Sequence, residues 1–286
     1  MKNIDNSNST VFKCSLDEII DLTKNNIYSI TLFLAWIEVQ KILKSKKLSI
    51  DNKKLSTLNE YIVISTPLEV SEFNSEVNIK NDEFKIKTDF KKSLPFSKPA
   101  RLNVNPLLFG NDKLQSFSPK DYTEIVYYNN ENDFAIRLNF EDDRSEMILI
   151  KTNFIEGKSL KDYLPVLENE ESGLLFPDDI LEIPEITFKL ESKFPEMKNT
   201  RIFHPNDGRK AVIEEISQKV KFELDHKGAT VESEISILGT MCCVFPEKRT
   251  MVFNKPFAVY LKKKNNVEPY FAAYFNSSDF FKPFSI

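Results

Sequence analysis

The spacing of apolar positions changes near residue 60. Upstream of it, Leu16, Ile19, Ile20 and Thr23 form a short stripe, with Ser15 at the N-cap position and Glu18 three residues on. That pattern predicts a helix opening on a capping box. Ile30, Phe33, Leu34, Ile37 and Lys41 then fall at i, i+3, i+4, i+7 and i+11, and Ala35, Val39, Ile42 and Leu43 widen the apolar surface. A helix apolar on most sides belongs inside a core, and the single Trp36 sits on it. Downstream the period falls to two. It predicts strands over 61–65, 77–79, 84–86, 102–108, 123–128, 134–140 and 146–150, a short helix over 160–167, and strands over 182–190, 217–224, 230–237, 251–261 and 269–275. Asn129-Asn130, Glu141–Arg144 and Asn265-Asn266 supply polar breaks of the kind that turns need. Helices followed by many strands give an α+β plan. With no internal repeat or linker, the expectation is one domain over 1–286, preceded by a polar tail at 1–10.

Composition narrows the chemistry. The chain has 286 residues, 29% charged and 41% hydrophobic, with 39 basic against 43 acidic side chains. This is a globular balance, and a net charge of −4 gives no electrostatic reason to expect a nucleic acid or an anionic membrane as partner. Only 6 glycines occur, where ordinary usage near ~7% would give roughly 20, and no phosphate-cradling glycine loop is present. Two histidines, His204 and His226, lack sequence-local metal partners, and three cysteines, two of them adjacent, build neither an all-cysteine zinc site nor a disulfide framework. No nucleophile–base–orienter set can be assembled around either histidine. The expectation is a chain that is not an enzyme and uses no metal or cofactor. Lys, Asn, Ile and Phe are favoured, with six arginines against 33 lysines, which fits an A+T-rich genome and concerns ancestry rather than chemistry. Residues 1–10 carry no signal-peptide pattern, so a cytoplasmic protein is expected, secretion staying open if a leader was removed.

Five blocks, in order, resemble one family. Residues 252-VFNKPFAVYLKKKNNVEPYFAAYF-275 carry Phe253-Asn254-Lys255-Pro256-Phe257, which matches the F-N-[KR]-P-F signature of the serpins. The run 104-VNPLLFGNDKLQSFSP-119 is similar to the family's V-N-A-I-Y-F-K-G-x-W-x-x-x-F-x-P strand and keeps Val104, Asn105, Phe109, Phe117 and Pro119. Residues 136-IRLNFEDDRSEMILI-150, 183-IPEITFKLE-191 and 25-NNIYSITLFLAW-36 resemble a hairpin, a strand and the buried helix of that family. The resemblance implies a serpin-like fold with large sheets and an exposed reactive-centre loop at 229–250. It is a reduced one, short between the buried helix and Val104 and between Phe117 and Ile136. The family's central hydrogen-bonded cluster maps to Ser29, Asn105 and Gln218, with Gln218 where many members have histidine and Lys113 where the usual tryptophan stands.

The implied function is suicide-substrate inhibition of a serine or cysteine protease by a monomer. The alternative is a non-inhibitory serpin-fold protein that binds a host or cellular partner, as an immune modulator would. In the inhibitory mode a cut loop inserts as a new strand, which needs one small or apolar alternate set. The hinge Gly228, Ala229, Thr230, Val231, Glu232, Ser233, Glu234 and Ile235 has such a set in Ala229, Val231, Ser233 and Ile235, with Thr230, Glu232 and Glu234 on the other face. An ordinary amphipathic edge strand fits the same pattern. The family's acidic pair before the glycine is replaced by His226-Lys227. Counting from either end of the loop puts the reactive bond within Met241, Cys242, Cys243, Val244 and Phe245, where Met241 or Cys242 suits a protease with a medium apolar pocket. Cys242 and Cys243 also read, and more simply, as medium-sized loop side chains. Lys248-Arg249 suits a trypsin-like enzyme but falls outside that register.

Overall fold

The structure is a computed structural model, and it describes residues 9–44, 48–59, 73–80, 83–90, 94–141, 144–164, 173–203, 210–228, 248–264 and 266–285. The elements run β1 (Thr10–Lys13), β2 (Asn25–Ser29), α1 (Thr31–Ile42), β3 (Ser49–Ile50), α2 (Lys53–Thr57), β4 (Phe73–Lys80), β5 (Glu83–Phe90), β6 (Arg101–Leu102), β7 (Leu107–Phe109), β8 (Asp112–Leu114) and β9 (Ser116–Ser118). They continue with β10 (Thr123–Asn130), β11 (Asp133–Asn139), β12 (Ser145–Lys151), β13 (Gly173–Leu174), β14 (Ile180–Pro184), β15 (Ile186–Lys193), β16 (Arg201–Phe203), β17 (Lys210–Leu224), β18 (Thr250–Val252), β19 (Phe257–Lys263) and β20 (Phe271–Phe275). Among the described residues no helix is long and apolar enough to cross a membrane.

Two compact units divide the chain, one built from 1–28, 93–188 and 222–286, the other from 29–92 and 189–221. The first holds an eight-stranded sheet in the order β1-β2-β20-β19-β12-β11-β10-β13 and a four-stranded sheet in the order β18-β14-β9-β6. In the larger sheet β12 and β20 are buried at every position and β19 at all but its last. Strands this apolar are covered on both faces, unlike the alternating strands of a half-exposed sheet. The Phe-Asn-Lys-Pro-Phe segment is structural here. Phe253 and Phe257 are fully buried, 5.1 Å apart between ring centroids, and Phe134, Phe275 and Phe281 stack around them. Asn254 accepts from the buried Lys151 Nζ at 2.7 Å.

The second unit carries β3-β16-β17-β5-β4, with β15 also on β17. Strands β4 and β5 form an antiparallel hairpin, while β5 and β17 pair in parallel from Glu83↔Val212 to Phe90↔Val220. Helix α1 packs on β4 and β5 and buries Trp36, whose Nε1 donates to Asn59 Oδ1.

Several expectations need correction. The helix predicted from Leu16 to Thr23 is a turn. Glu18 Oε1 does accept from the Ser15 and Cys14 N–H groups as a capping box would, but Ile20 N–H bonds the Lys158 carbonyl and Asp21 and Asn26 tie the next backbone into Asx-type turns, so no helix propagates. Residues 25–29 of the block likened to a buried helix are strand β2, and the helix opens at Thr31. The 102–108 strand is interrupted at 103–106, with Val104 79% exposed. In place of a helix over 160–167 there is a single 3-10 turn, Lys161–Tyr163, and 165–167 lie outside the described residues. The strands predicted over 61–65 and 230–237 lie outside them too.

Candidate functional site

The hinge from Ala229 to Ile235 and the window Met241, Cys242, Cys243, Val244 and Phe245 lie outside the described residues, whereas the two segments that bound them are described. Strand β17 ends at Leu224, and Asp225–Gly228 closes a turn in which Gly228 N–H bonds the Asp225 carbonyl at 3.0 Å. Gly228 has φ +77°, and a Cβ there would lie 2.3 Å from Phe96 N and 2.8 Å from Leu94 O. Only glycine satisfies this backbone angle and this approach together. The same turn is fastened to the 94–100 stretch by Phe96 N–H to the Lys227 carbonyl and Ala100 N–H to the His226 carbonyl, at 3.2 and 2.6 Å.

Side chains hold the turn from the other direction. Glu185 is 2% exposed, its Oε1 2.7 Å from His226 Nδ1 and its Oε2 2.7 Å from Lys282 Nζ. Burial opposes ionisation of Glu185, but the hydrogen bonds and charge from Lys282 and His226 outweigh it and hold the carboxyl below its ordinary value. Asp225 goes the other way. Burial raises its carboxyl, the Lys227 N–H and the His226 ring pull down, and Glu185 and Glu223 push up again. Glu185, Asp225 and His226 each place one ligand-type atom within 4.8 Å of the others.

The far boundary has a second anchor. Arg249 donates from its backbone N–H, Nε and Nη2 to the carboxylate of Asp179, the shortest bond being 2.7 Å, and its guanidinium lies 4.8 Å from the Phe176 ring centroid. Asp179 is 2% exposed; its own burial raises the carboxyl, and the Arg249 side chain with the Phe176 and Arg249 N–H groups brings it below the ordinary value. Arg249 is thus held at an anchor. Asp179 and Glu185 immediately precede and follow β14, so one short strand carries both grips on the 229–247 segment.

Of the expected central cluster, Ser29 and Gln218 do meet. Gln218 Nε2 donates to Thr31 Oγ1 at 2.6 Å and reaches the Ser29 carbonyl at 3.4 Å, and Ser29 Oγ lies 3.1 Å from Thr31 Oγ1. All three residues are buried. Asn105 departs from the expectation: it is exposed in the 103–106 stretch, because the strand that would have buried it is interrupted there. Thr31, Asp179, Glu185, Asp225 and Lys282 were not singled out from the sequence. Their roles rest on partners 40 to 187 residues away, a separation that leaves no periodic or motif signal.

No family model and no curated protein matches the chain. Solved structures similar to it include serpins. Thyroxine-binding globulin in complex with thyroxine is 9% identical, covers 67% of this chain and 55% of its own, and has a TM-score of 0.45. The thermophilic serpin tengpin in its native state is 12% identical over 94% of this chain and 72% of its own, at 0.45. Serpin48 from the insect Tenebrio molitor is 12% identical over 94% and 74%, at 0.44. The chain therefore spans little more than half of the thyroxine-binding globulin chain.

Proposed function

We propose that this chain is a reduced serpin-type protease inhibitor that presents residues 229–247 as bait and takes the cut segment back as a strand between β5 and β17. The parallel pairing of β5 with β17 carries the reading. A chain that leaves the end of β17 and folds back runs antiparallel to it. Because β5 is parallel to β17, the returning strand is antiparallel to both neighbours. One parallel ladder would be exchanged for two antiparallel ones, the more stable pairing per residue. Ala229, Val231, Ser233 and Ile235 form an apolar or small set for the covered face of such a strand, and Glu232 and Glu234 fit the solvated one.

The test is thermal melting before and after a protease nicks the chain between Met241 and Phe245. Insertion predicts a higher Tm for the cut protein, and a denaturant-stable complex with the protease under limiting enzyme. An unchanged or lower Tm overturns the inhibitory reading. The second reading, a serpin-fold binding protein with an inert loop, draws on one specific observation: the Gly228 turn is fastened by backbone bonds on two sides and by His226 to a buried carboxylate, and insertion must break these contacts.

A further inference from the structure

We propose that Glu185, Asp225 and His226 form a binding site for a divalent transition metal of the zinc class, stapling the end of β17 to the β14–β15 junction. The donors are one imidazole nitrogen and two carboxylate oxygens, a set that suits zinc with a fourth position left to water. They are preorganised. Asp225 and His226 belong to the turn that Gly228 closes, with Asp225 Oδ1 accepting from Lys227 N–H at 2.8 Å. Glu185 is fixed through both its backbone groups, its N–H on the Gln115 carbonyl and its carbonyl accepting from Lys282 N–H, each at 2.9 Å.

The charge balance also points to a cation. Glu185 and Asp225 bring two carboxylates into one small space with Glu223 nearby, against His226 and the single ammonium of Lys282. A metal ion on His226 Nδ1 takes the place of the hydrogen bond to Glu185 Oε1, the neutral ring carrying its one proton on Nε2, so that neutral imidazole and both carboxylates face the metal. Lys282 sits on the other oxygen, Oε2, with a side chain 53% exposed. It orients the carboxylate toward His226 and at the same time repels a dication, which sets the affinity. The site stands apart from the inhibitor reading because it belongs to the uncut chain: it follows from the turn and its partners as they stand, and an insertion that broke the His226–Glu185 contact would take it apart.

The test uses the full chain with Cys242→Ser and Cys243→Ser, so that no thiol pair competes, and zinc chloride as the probe. Zinc is expected to raise the Tm by several degrees at saturation, magnesium to leave it unchanged, and calorimetry to give one zinc per chain. Asp225→Asn and His226→Ala each should weaken binding at least about tenfold, and Lys282→Met should tighten it severalfold. Lack of any zinc response, or a response that survives both Asp225→Asn and His226→Ala, overturns the site. Cobalt in place of zinc should give visible d–d absorption that is lost in the same two variants.

Discussion

Arg249 meets the buried carboxylate of Asp179, 70 residues earlier in the chain, through its backbone N–H and its guanidinium together, and so fixes the point at which the 229–247 segment rejoins the fold. Removing the guanidinium leaves Asp179 2% exposed with an uncompensated charge. Arg249→Ala should lower stability by about 2–3 kcal/mol, read as a fall in denaturation midpoint at unchanged slope. Arg249→Lys should recover only part of this, because an ammonium cannot reproduce the forked contact.

Gly228 marks the other boundary. Gly228→Ala puts a methyl 2.3 Å from Phe96 N on a backbone already at φ +77°. The expected cost is about 3 kcal/mol or more, since a bulky contact with backbone cannot be relieved by a rotamer change. A cost below ~1 kcal/mol in chemical denaturation would show that the turn is free to move.

Acid should loosen these anchors. Asp179 and Glu185 are held below their ordinary values, so the stability they contribute is complete above the unfolded values of about 4 and is lost as pH falls through the lower folded ones. Urea melts between pH 7 and pH 2, with a chelator present, should show this decline, and Asp179→Asn and Glu185→Gln should each flatten it. Glu182 has the opposite sign. Burial raises its carboxyl, so its unfavourable contribution appears as pH climbs past about 4. Glu182→Gln should therefore stabilise the protein at pH 7 and make no difference at pH 3.

Lys151 governs the alkaline side. Burial lowers its ammonium to about 8, Lys255 adding to the shift and Glu131 opposing it. Between that value and the unfolded lysine value of about 10.4 the unfolded chain binds more protons, so stability should rise with pH across that window. Lys151→Met should abolish the rise, and should also destabilise the protein because the Glu131 and Val252 carbonyls and Asn254 lose their shared donor.

The buried polar cluster allows a paired comparison. Gln218→Leu should cost about 2 kcal/mol, because Thr31 Oγ1 loses its short bond in a dry site. Thr88 pairs in register with Gln218 and is fully buried, and its hydroxyl has no hydrogen-bond partner among the described residues. Thr88→Val, of nearly the same shape, should be stabilising by ~1 kcal/mol, and a loss of stability there would mean the hydroxyl is satisfied in solution.

What could be read from the chain follows the length and regularity of each signal. The 134–140 and 146–150 alternations lie on β11 and β12, and the Ile30–Leu43 stripe corresponds to α1, because each element buries a continuous face and its pattern repeats several times. The Leu16–Thr23 stripe was as apolar but shorter, and Asp21 within it and Asn26 just beyond it offered the backbone competing bonds to their side chains. There the local signal named a cap and the surrounding contacts refused the helix.

By itself the sequence determined the strand-rich plan, the apolar identity of the core phenylalanines, and a resemblance spread over five blocks. These are properties of periodicity and of single-residue stereochemistry, which act over a few neighbours. Tertiary structure alone decided that β5 and β17 run in parallel, that Asp179 and Glu185 at the two ends of β14 hold Arg249 and His226, and that Asp225 and His226, neighbours in the chain, lie beside a carboxylate from Glu185. Those relationships depend on which distant segments are brought together, and the favourable contact of a carboxylate with its partner leaves no trace in the spacing of residues along the chain.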